Sequence, residues 1–302
     1  MKFKGVGLLS EIMAIMSAVC WGATGVLLRK TPERHRFSFM LPEGFFSVSL
    51  VLILSTIFGA WNDFLLLSSS LIFLSILAAC FNILGTFSYV KALNELKIGL
   101  TLTVIVSSFI LFTMISSKWI FNDSLSFHLI LSAIFIIFGV ILINLSSSDE
   151  RNDNFSFRTL LSNYKSLIYC LFAGLLWCSG NLILDQVLEN TGVLQVTLIR
   201  SLTVLFVYLI LSIWFNRFRL SFLYENNSSK FFVLSASFIA TLSMLFWFTS
   251  LFFGEASLTV ILGSSSPIAA IILGRIFLKE KISIYSQIGV ISSMVGVVIA
   301  II

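Results

Sequence analysis

Long apolar runs separated by short polar stretches divide the chain into similar segments. Most runs hold about 20 residues, the length that an α-helix needs to cross the hydrocarbon core of a bilayer. The runs do not alternate between apolar and polar positions, so they do not resemble the strands of a membrane barrel. The pattern predicts ten membrane-spanning helices in an all-α membrane protein, at residues 8–29, 39–60, 68–90, 98–118, 126–146, 165–186, 193–214, 230–252, 257–277 and 283–302.

Composition agrees with a protein whose solvent is lipid. Of the 302 residues, 58% are hydrophobic and 11% are charged, and the mean hydropathy is +1.04, whereas a soluble domain carries about 25% charged residues. The net charge of +5 resides in short loops between the apolar runs, where basic residues set membrane topology. We therefore expect a multi-pass protein of the cell membrane, with the lipid bilayer as a partner and no nucleic acid.

The two halves of the chain resemble each other at an offset of 156–158 residues. Each half holds five predicted helices, and because five is odd, the second half enters the membrane from the opposite side. The prediction is two inverted five-helix repeats, at 1–148 and 165–302, joined by a polar linker at 149–164; inverted repeats are typical of secondary transporters. The matched segments are 18–22 with 174–178, 52–55 with 209–212, 119–126 with 276–283, and 139–143 with 296–300.

The distribution of charge supports the inverted arrangement. With ten helices, fifteen Lys and Arg residues lie on the membrane face that carries the linker, and three lie on the face with both termini. Cytoplasmic loops are enriched in Lys and Arg. The linker and the basic loops are therefore predicted to be cytoplasmic, and both termini to lie outside.

Several features together resemble the drug/metabolite transporter superfamily and, within it, the EamA-type transporters. The first helix contains Trp21-Gly22, the segment 255–267 is rich in small residues and ends in Ser-Pro, Glu280 follows the ninth helix, and Gly289 and Gly296 lie in the tenth. The resemblance covers nearly the whole chain. It implies an exporter, or occasionally an importer, of amino acids, organic ions or similar solutes.

The two repeats depart from this family pattern in different ways. An Arg early in the second helix of a repeat is present as Arg200 in the second half, but Glu43 occupies its place in the first. Phe109 is the first-half counterpart of Pro267, and Asp123 is the acidic residue of the first-half turn. Substrate contacts are therefore expected to be asymmetric.

A substrate site between inverted repeats should use polar and aromatic residues near the middle of the membrane. Each candidate has a structural alternative, because Trp, Asn and Tyr can pack between helices and Ser allows helices to approach closely. Pro267 frees a backbone carbonyl within the ninth helix, which could give a kink for gating or a carbonyl that lines the cavity. The candidate substrate-binding residues are Trp21, Asn82, Tyr89, Ser107, Trp177, Asn181, Arg200, Trp247 and Ser265.

Charged residues inside the spans are candidates for function because hydrocarbon disfavours them. Arg200 could bind a substrate carboxylate, extend towards the interface, or pair with Asp185 or Glu189. Glu11 and Glu43 are the candidates for coupling transport to a proton, although both lie near helix ends.

Motifs of enzyme chemistry are not seen in the sequence. We find no Ser-His-Asp set, His/Cys cluster or nucleotide-binding loop, so the prediction is a protein without enzyme activity, cofactor or metal. Without an ATPase motif, transport must use the gradient of the substrate or of a coupling ion such as the proton. The alternative is a membrane scaffold or receptor subunit that transports nothing; the oligomeric state is left open.

Overall fold

The computed structural model describes residues 7–32, 35, 37–65, 67–95, 98–116, 118–119, 126–149, 164–214, 227–278 and 284–301, and all regular structure in these ranges is helical. A 3₁₀ turn, Phe37–Phe39, precedes the second helix. The α-helices are α1 Gly7–Arg29, α2 Met40–Ile57, α3 Trp61–Leu65, α4 Ser69–Glu95, α5 Ile98–Ser116, α6 Phe127–Asp149, α7 Tyr164–Leu188, α8 Val193–Trp214, α9 Asn227–Phe253, α10 Ala256–Gly263, α11 Ser266–Leu278 and α12 Ile284–Ile301.

Within the described residues, seven stretches are long and apolar enough to cross a membrane. Three shorter apolar helices, Val104–Ser116, Phe127–Gly139 and Gln287–Ile299, lie where the remaining spans are predicted. Large apolar side chains cover the outer surfaces; Phe206, for example, is 66% exposed. Water would disfavour such surfaces but lipid would not, so the chain is a multi-pass, all-α membrane protein.

Two details of the helices differ from the prediction. The short helix α3 follows the second span, where only a loop is expected. The predicted ninth span agrees with a membrane-length stretch at Ala256–Gly274, but its helix is interrupted, because α10 ends at Gly263 and α11 begins at Ser266. Most of the polar linker, residues 150–163, lies outside the described residues.

The helices form two compact units, and neither unit is one of the predicted repeats. Unit 1 comprises Met1–Cys80 and Ile183–Gly254, and unit 2 comprises Phe81–Leu182 and Glu255–Ile302. Each unit therefore combines segments from both halves of the sequence. The division into repeats at 1–148 and 165–302 stays a prediction about sequence equivalence.

Small polar residues bring α1 and α9 together in unit 1. The hydroxyl of Ser10 lies 3.2 Å from that of Ser250, and the hydroxyl of Ser17 lies 3.1 Å from that of Ser243. Each of Ser10 and Ser17 also donates to the backbone carbonyl of its partner. Such short side chains let two helix backbones approach closely in lipid. Because Ser10 meets the later of the two α9 residues, the helices run antiparallel.

The most extensive helix pair of unit 2 is formed by α6 and α12. A Cβ atom added to Gly296 would lie 2.9 Å from the carbonyl oxygen of Ser132 and 2.8 Å from Cγ1 of Ile136. Gly139 faces the backbone of Gly289 and Ser293 in the same way. Close approach of the two backbones therefore requires glycine on both sides.

These contacts are reciprocal and antiparallel. At the sequence offset of 157 residues, Gly139 is equivalent to Gly296, and the residues that face Gly139 are equivalent to those that face Gly296. As α6 advances from Ser132 to Gly139, the contacted residue of α12 moves back from Gly296 to Gly289. The two helices thus pack antiparallel, with a glycine of each facing the backbone of the other.

Candidate functional site

An aromatic cluster surrounds Trp177 in unit 2. Its indole Nε1 donates a hydrogen bond to the backbone carbonyl of Asn82 at 3.3 Å. The ring centroid lies 5.8 Å from that of Tyr89 and 6.4 Å from that of Phe109, the latter edge to face. Gly85 completes what we term the Trp177 cluster. A Cβ at Gly85 would lie 2.5 Å from Cδ1 of Trp177, so glycine is what admits the indole.

The sequence positions explain how α4 builds one side of this cluster. Asn82, Gly85 and Tyr89 follow one another at intervals of three and four residues and therefore lie on one helix face. Asn82, Tyr89 and Trp177 are three of the predicted site residues that the structure brings together. Asn82 contributes its backbone carbonyl to the bond with Trp177. Gly85 was missed because a glycine carries no functional group to attract notice.

Two further predicted residues lie beside this cluster. Asn181 is buried one turn beyond Trp177, and its Nδ2 donates to the carbonyl of Trp177 at 2.8 Å. Ser107 lies two residues before Phe109, and its buried hydroxyl has no hydrogen-bond partner among the described residues. Its neighbour Ser108 donates to the Ile105 carbonyl at 2.9 Å. Ser107 therefore retains a hydrogen-bonding group that a solute could use.

A buried ion pair forms the polar centre of unit 1. Nη1 of Arg200 lies 3.4 Å from Oε1 of Glu43, and each residue is 6% exposed. The guanidinium carbon of Arg200 also lies 5.7 Å from the ring centroid of Phe248, within range of a cation–π interaction. The sequence interpretation offered Asp185 or Glu189 as ionic partners, or extension towards the interface. The structure instead buries Arg200 against Glu43, and we name these two residues the Glu43–Arg200 pair.

Hydroxyl groups on three helices surround the pair. Thr241 donates to the backbone carbonyl of Glu43 at 3.2 Å, and the hydroxyls of Ser47 and Ser201 bond to each other. Tyr208 is 4% exposed and interacts electrostatically with both charges. Sequence reasoning missed these four residues. Tyr208 could have been found from its spacing. Arg200, Val204 and Tyr208 recur every four residues and share the buried face of α8.

Ser265 lies at the break between α10 and α11, and Pro267 lies just after it. The hydroxyl of Ser265 donates to the Leu262 carbonyl at 2.6 Å, and the Ile268 amide donates to the Ser265 carbonyl at 2.9 Å. Pro267 was expected inside a continuous ninth helix. It lies instead in the first turn of α11. Proline is well tolerated there because its missing N–H would have no intrahelical acceptor.

Three other candidates lie on helices of unit 1. Trp21 is 37% exposed on α1, whereas its predicted repeat counterpart Trp177 lies in unit 2. Glu11 and Trp247 are half-buried in α1 and α9. Among the described residues, no group of three His, Cys, Asp or Glu could hold a metal ion.

The chemistry of the two clusters is complementary. Aromatic faces such as those around Trp177 can stack on rings or attract cations. A guanidinium presents several N–H donors suited to a carboxylate. Both arrangements offer groups that can bind a solute.

Comparisons with known proteins agree with this picture. Residues 8–145 and, separately, residues 164–302 match the EamA-like transporter family. A protein of Archaeoglobus fulgidus named as an uncharacterized transporter is 26% identical over 279 residues, which cover 91% of this chain and 92% of that protein. A solved crystal structure, described simply as that of a protein, shares the fold with a TM-score of 0.73 and 12% identity over 96% of each chain.

The two family matches together span most of the 302 residues and leave out chiefly the linker. They agree with the apolar helices of the structure and with the buried polar clusters inside them. On this basis, the chain belongs to the EamA-like transporter family.

Proposed function

We propose that this protein is a ten-helix secondary transporter that carries a small metabolite, amino acid or drug-like solute across the cell membrane by alternating access. Net export is the direction that the resemblance to EamA-type exporters implies. The proposal follows from membership of a transporter family and from the geometry of the equivalent helices α6 and α12.

The antiparallel packing of α6 and α12 is the observation that carries the proposal. Two equivalent helices that cross a bilayer in opposite directions enter it from opposite faces. This is the relation expected of inverted repeats, in which two similar halves exchange conformations to open a site alternately to each side. The separate family matches to 8–145 and 164–302 support the same repeat.

The break between α10 and α11 supports a movable element next to a binding site. Discontinuous helices in transporters leave backbone groups near the substrate and serve as bending points. Pro267 has no N–H to offer the carbonyl of Gly263 four residues earlier. We propose that this carbonyl, together with the Trp177 cluster and Ser107, contributes to the solute site of unit 2.

Ligand binding and flux test the proposal directly. Purified protein is screened against metabolites by thermal shift, since a ligand at a hundredfold excess over its Kd stabilises the folded state by about 2.7 kcal/mol. Hits are then tested for saturable uptake into liposomes. Trp177→Ala should weaken binding and flux, whereas Trp214→Ala, which removes a tryptophan that is 78% exposed, should not. Absence of both stabilisation and flux would favour the scaffold alternative.

Topology is tested with single cysteines at equivalent loops of the two repeats. Native Cys20, Cys80, Cys170 and Cys178 are replaced by Ala, and Lys30→Cys or Asn190→Cys is introduced; both sites are exposed. A membrane-impermeant maleimide should label Lys30→Cys from the cytoplasmic side and Asn190→Cys from outside. Labelling of both from one side would contradict inverted repeats.

A further inference from the structure

The Glu43–Arg200 pair is incompletely bonded for a pair of buried charges. Its contact is a single 3.4 Å approach between Nη1 and Oε1, whereas Arg–carboxylate pairs are frequently bidentate at about 2.7–2.9 Å. The Nε of Arg200 is buried and has no hydrogen-bond partner among the described residues. An unsatisfied buried donor is unfavourable, and more so when the group is charged.

The neighbouring side chains do not supply the missing acceptor. On α9, Thr241 donates to the Glu43 carbonyl, and Phe248 offers only its ring face. Between α2 and α8, the hydroxyls of Ser47 and Ser201 bond to each other. Of these groups around Arg200, only the carboxylate of Glu43 balances its charge. The Nε–H of Arg200 is therefore available to an acceptor on a bound molecule.

We propose that Arg200 binds the carboxylate group of the transported solute, and that Glu43 takes up a proton when that carboxylate replaces it. This inference rests on the proposed transport function and assigns the substrate class of a second subsite, in unit 1. The charges balance in both states. The empty site holds one cation and one anion, and the loaded site holds Arg200⁺, the solute carboxylate and neutral Glu43.

The need to neutralise a buried charge is the physical reason for the exchange. A buried charge that loses its partner is strongly unfavourable, so Glu43 cannot leave Arg200 as an anion without penalty. Protonation of Glu43 removes that penalty, and the solute carboxylate then neutralises Arg200. Solute and proton therefore cross together in the same direction, so net export requires an outward gradient of the solute, and a monocarboxylate crosses without net movement of charge.

A defined dependence of binding on pH follows. Binding of the carboxylate takes up one proton in this scheme, so its affinity should fall as the pH rises, by at most about tenfold for each unit. Tyr208 also interacts electrostatically with both residues of the pair.

The test compares matched carboxylates and amides. The purified full chain is titrated in thermal-shift assays with benzoate, succinate and L-leucine, and with benzamide, succinamide and L-leucinamide, between pH 6 and pH 8 with buffer anions held constant. At least one carboxylate should stabilise the protein more than its amide, and its Kd should rise as the pH rises over the range. No preference for any carboxylate, or a preference that is independent of pH, overturns the inference.

Variants separate the two residues. Glu43→Gln should bind the carboxylate probe with an affinity that no longer depends on pH, whereas Arg200→Gln should lose the preference over the amide. Ser17→Ala, which removes a helix contact in the same unit, should keep both the preference and the pH dependence. If Arg200→Gln does not fold, Arg200→Lys is used, and it should retain a weakened carboxylate preference. An unchanged pH dependence in Glu43→Gln overturns the role of Glu43.

Flux measurements distinguish this inference from the proposed function. Saturable uptake of a solute without a carboxylate, unaffected by Glu43→Gln, would leave the transporter standing and overturn the carboxylate subsite. Carboxylate binding with the expected pH dependence, but without flux of that probe into liposomes, would support the subsite and count against transport.

Discussion

Gly85→Ala should destabilise the protein because it introduces a methyl group into the space of the Trp177 indole. The new Cβ would lie 2.5 Å from Cδ1 and 2.7 Å from Nε1 of Trp177. Carbon atoms attract each other best at about 3.5–4.0 Å, so the ring must shift by about 1 Å. Tyr89 on α4 and Phe109 on α5 also pack near the ring and restrict that shift.

The expected magnitude combines three contributions. Overpacking of this kind costs about 1–3 kcal/mol, and disturbance of the Trp177–Asn82 hydrogen bond costs about 0.5–1.5 kcal/mol more. Alanine is favoured over glycine in a helix by about 0.5–1 kcal/mol. The net loss in free energy of unfolding is therefore roughly 0.5–4 kcal/mol.

A double-mutant cycle isolates the contact. Unfolding of the wild-type protein, Gly85→Ala, Trp177→Ala and the double variant is measured in mixed detergent micelles, with Gly25→Ala as the matched control. A Cβ at Gly25 meets no atom within 4 Å, so that variant should be neutral or slightly more stable. In the Trp177→Ala background, Gly85→Ala should lose its cost, which gives a coupling energy of roughly 1–3 kcal/mol. Equal cost in both backgrounds, or no cost in either, would refute the packing argument.

Two further predictions concern helix pairing. Gly296→Ala should lower the melting temperature, because its Cβ would lie 2.9 Å from the Ser132 carbonyl oxygen. A backbone group cannot move away as a flexible side chain can. A melting temperature as high as that of Gly25→Ala would contradict this. Glu43→Ala should cost about 3–5 kcal/mol, because it leaves the buried charge of Arg200 without its partner. The double variant Glu43→Ala/Arg200→Ala should be more stable than Glu43→Ala in the same unfolding assay, and the reverse order would show that the two charges act separately.

The class of protein and the positions of its helices were predictable because both depend on local composition. A run of about 20 apolar residues satisfies its backbone hydrogen bonds in lipid only as a helix. The predicted span at 193–214 matches α8, Val193–Trp214, and the span at 8–29 nearly matches α1. At Pro267 a kink within one helix was expected, and the structure has two helices that meet just before this residue. Proline signals a weak point in a helix, but the neighbouring packing decides whether the helix bends or ends there.

The site was predictable only in part. Conspicuous side chains such as Trp177, Arg200 and Glu43 stood out because they are unusual inside apolar helices. Three other residues did not stand out. Gly85 lies against Trp177, and Thr241 and Tyr208 lie next to the Glu43–Arg200 pair.

The sequence by itself determined that this chain belongs in a membrane and where its apolar segments lie, and it predicted which residues of its two halves match. Only the tertiary structure decided which of the matched residues meet. Glu43 and Arg200, 157 positions apart, form an ion pair, and Ser292 bonds to the carbonyl of Phe135 at the same separation. Trp21 and Trp177 are also matched in sequence but lie in different units. The physical reason is that a match in sequence depends on residue types alone, whereas contact between matched residues depends on how the helices pack.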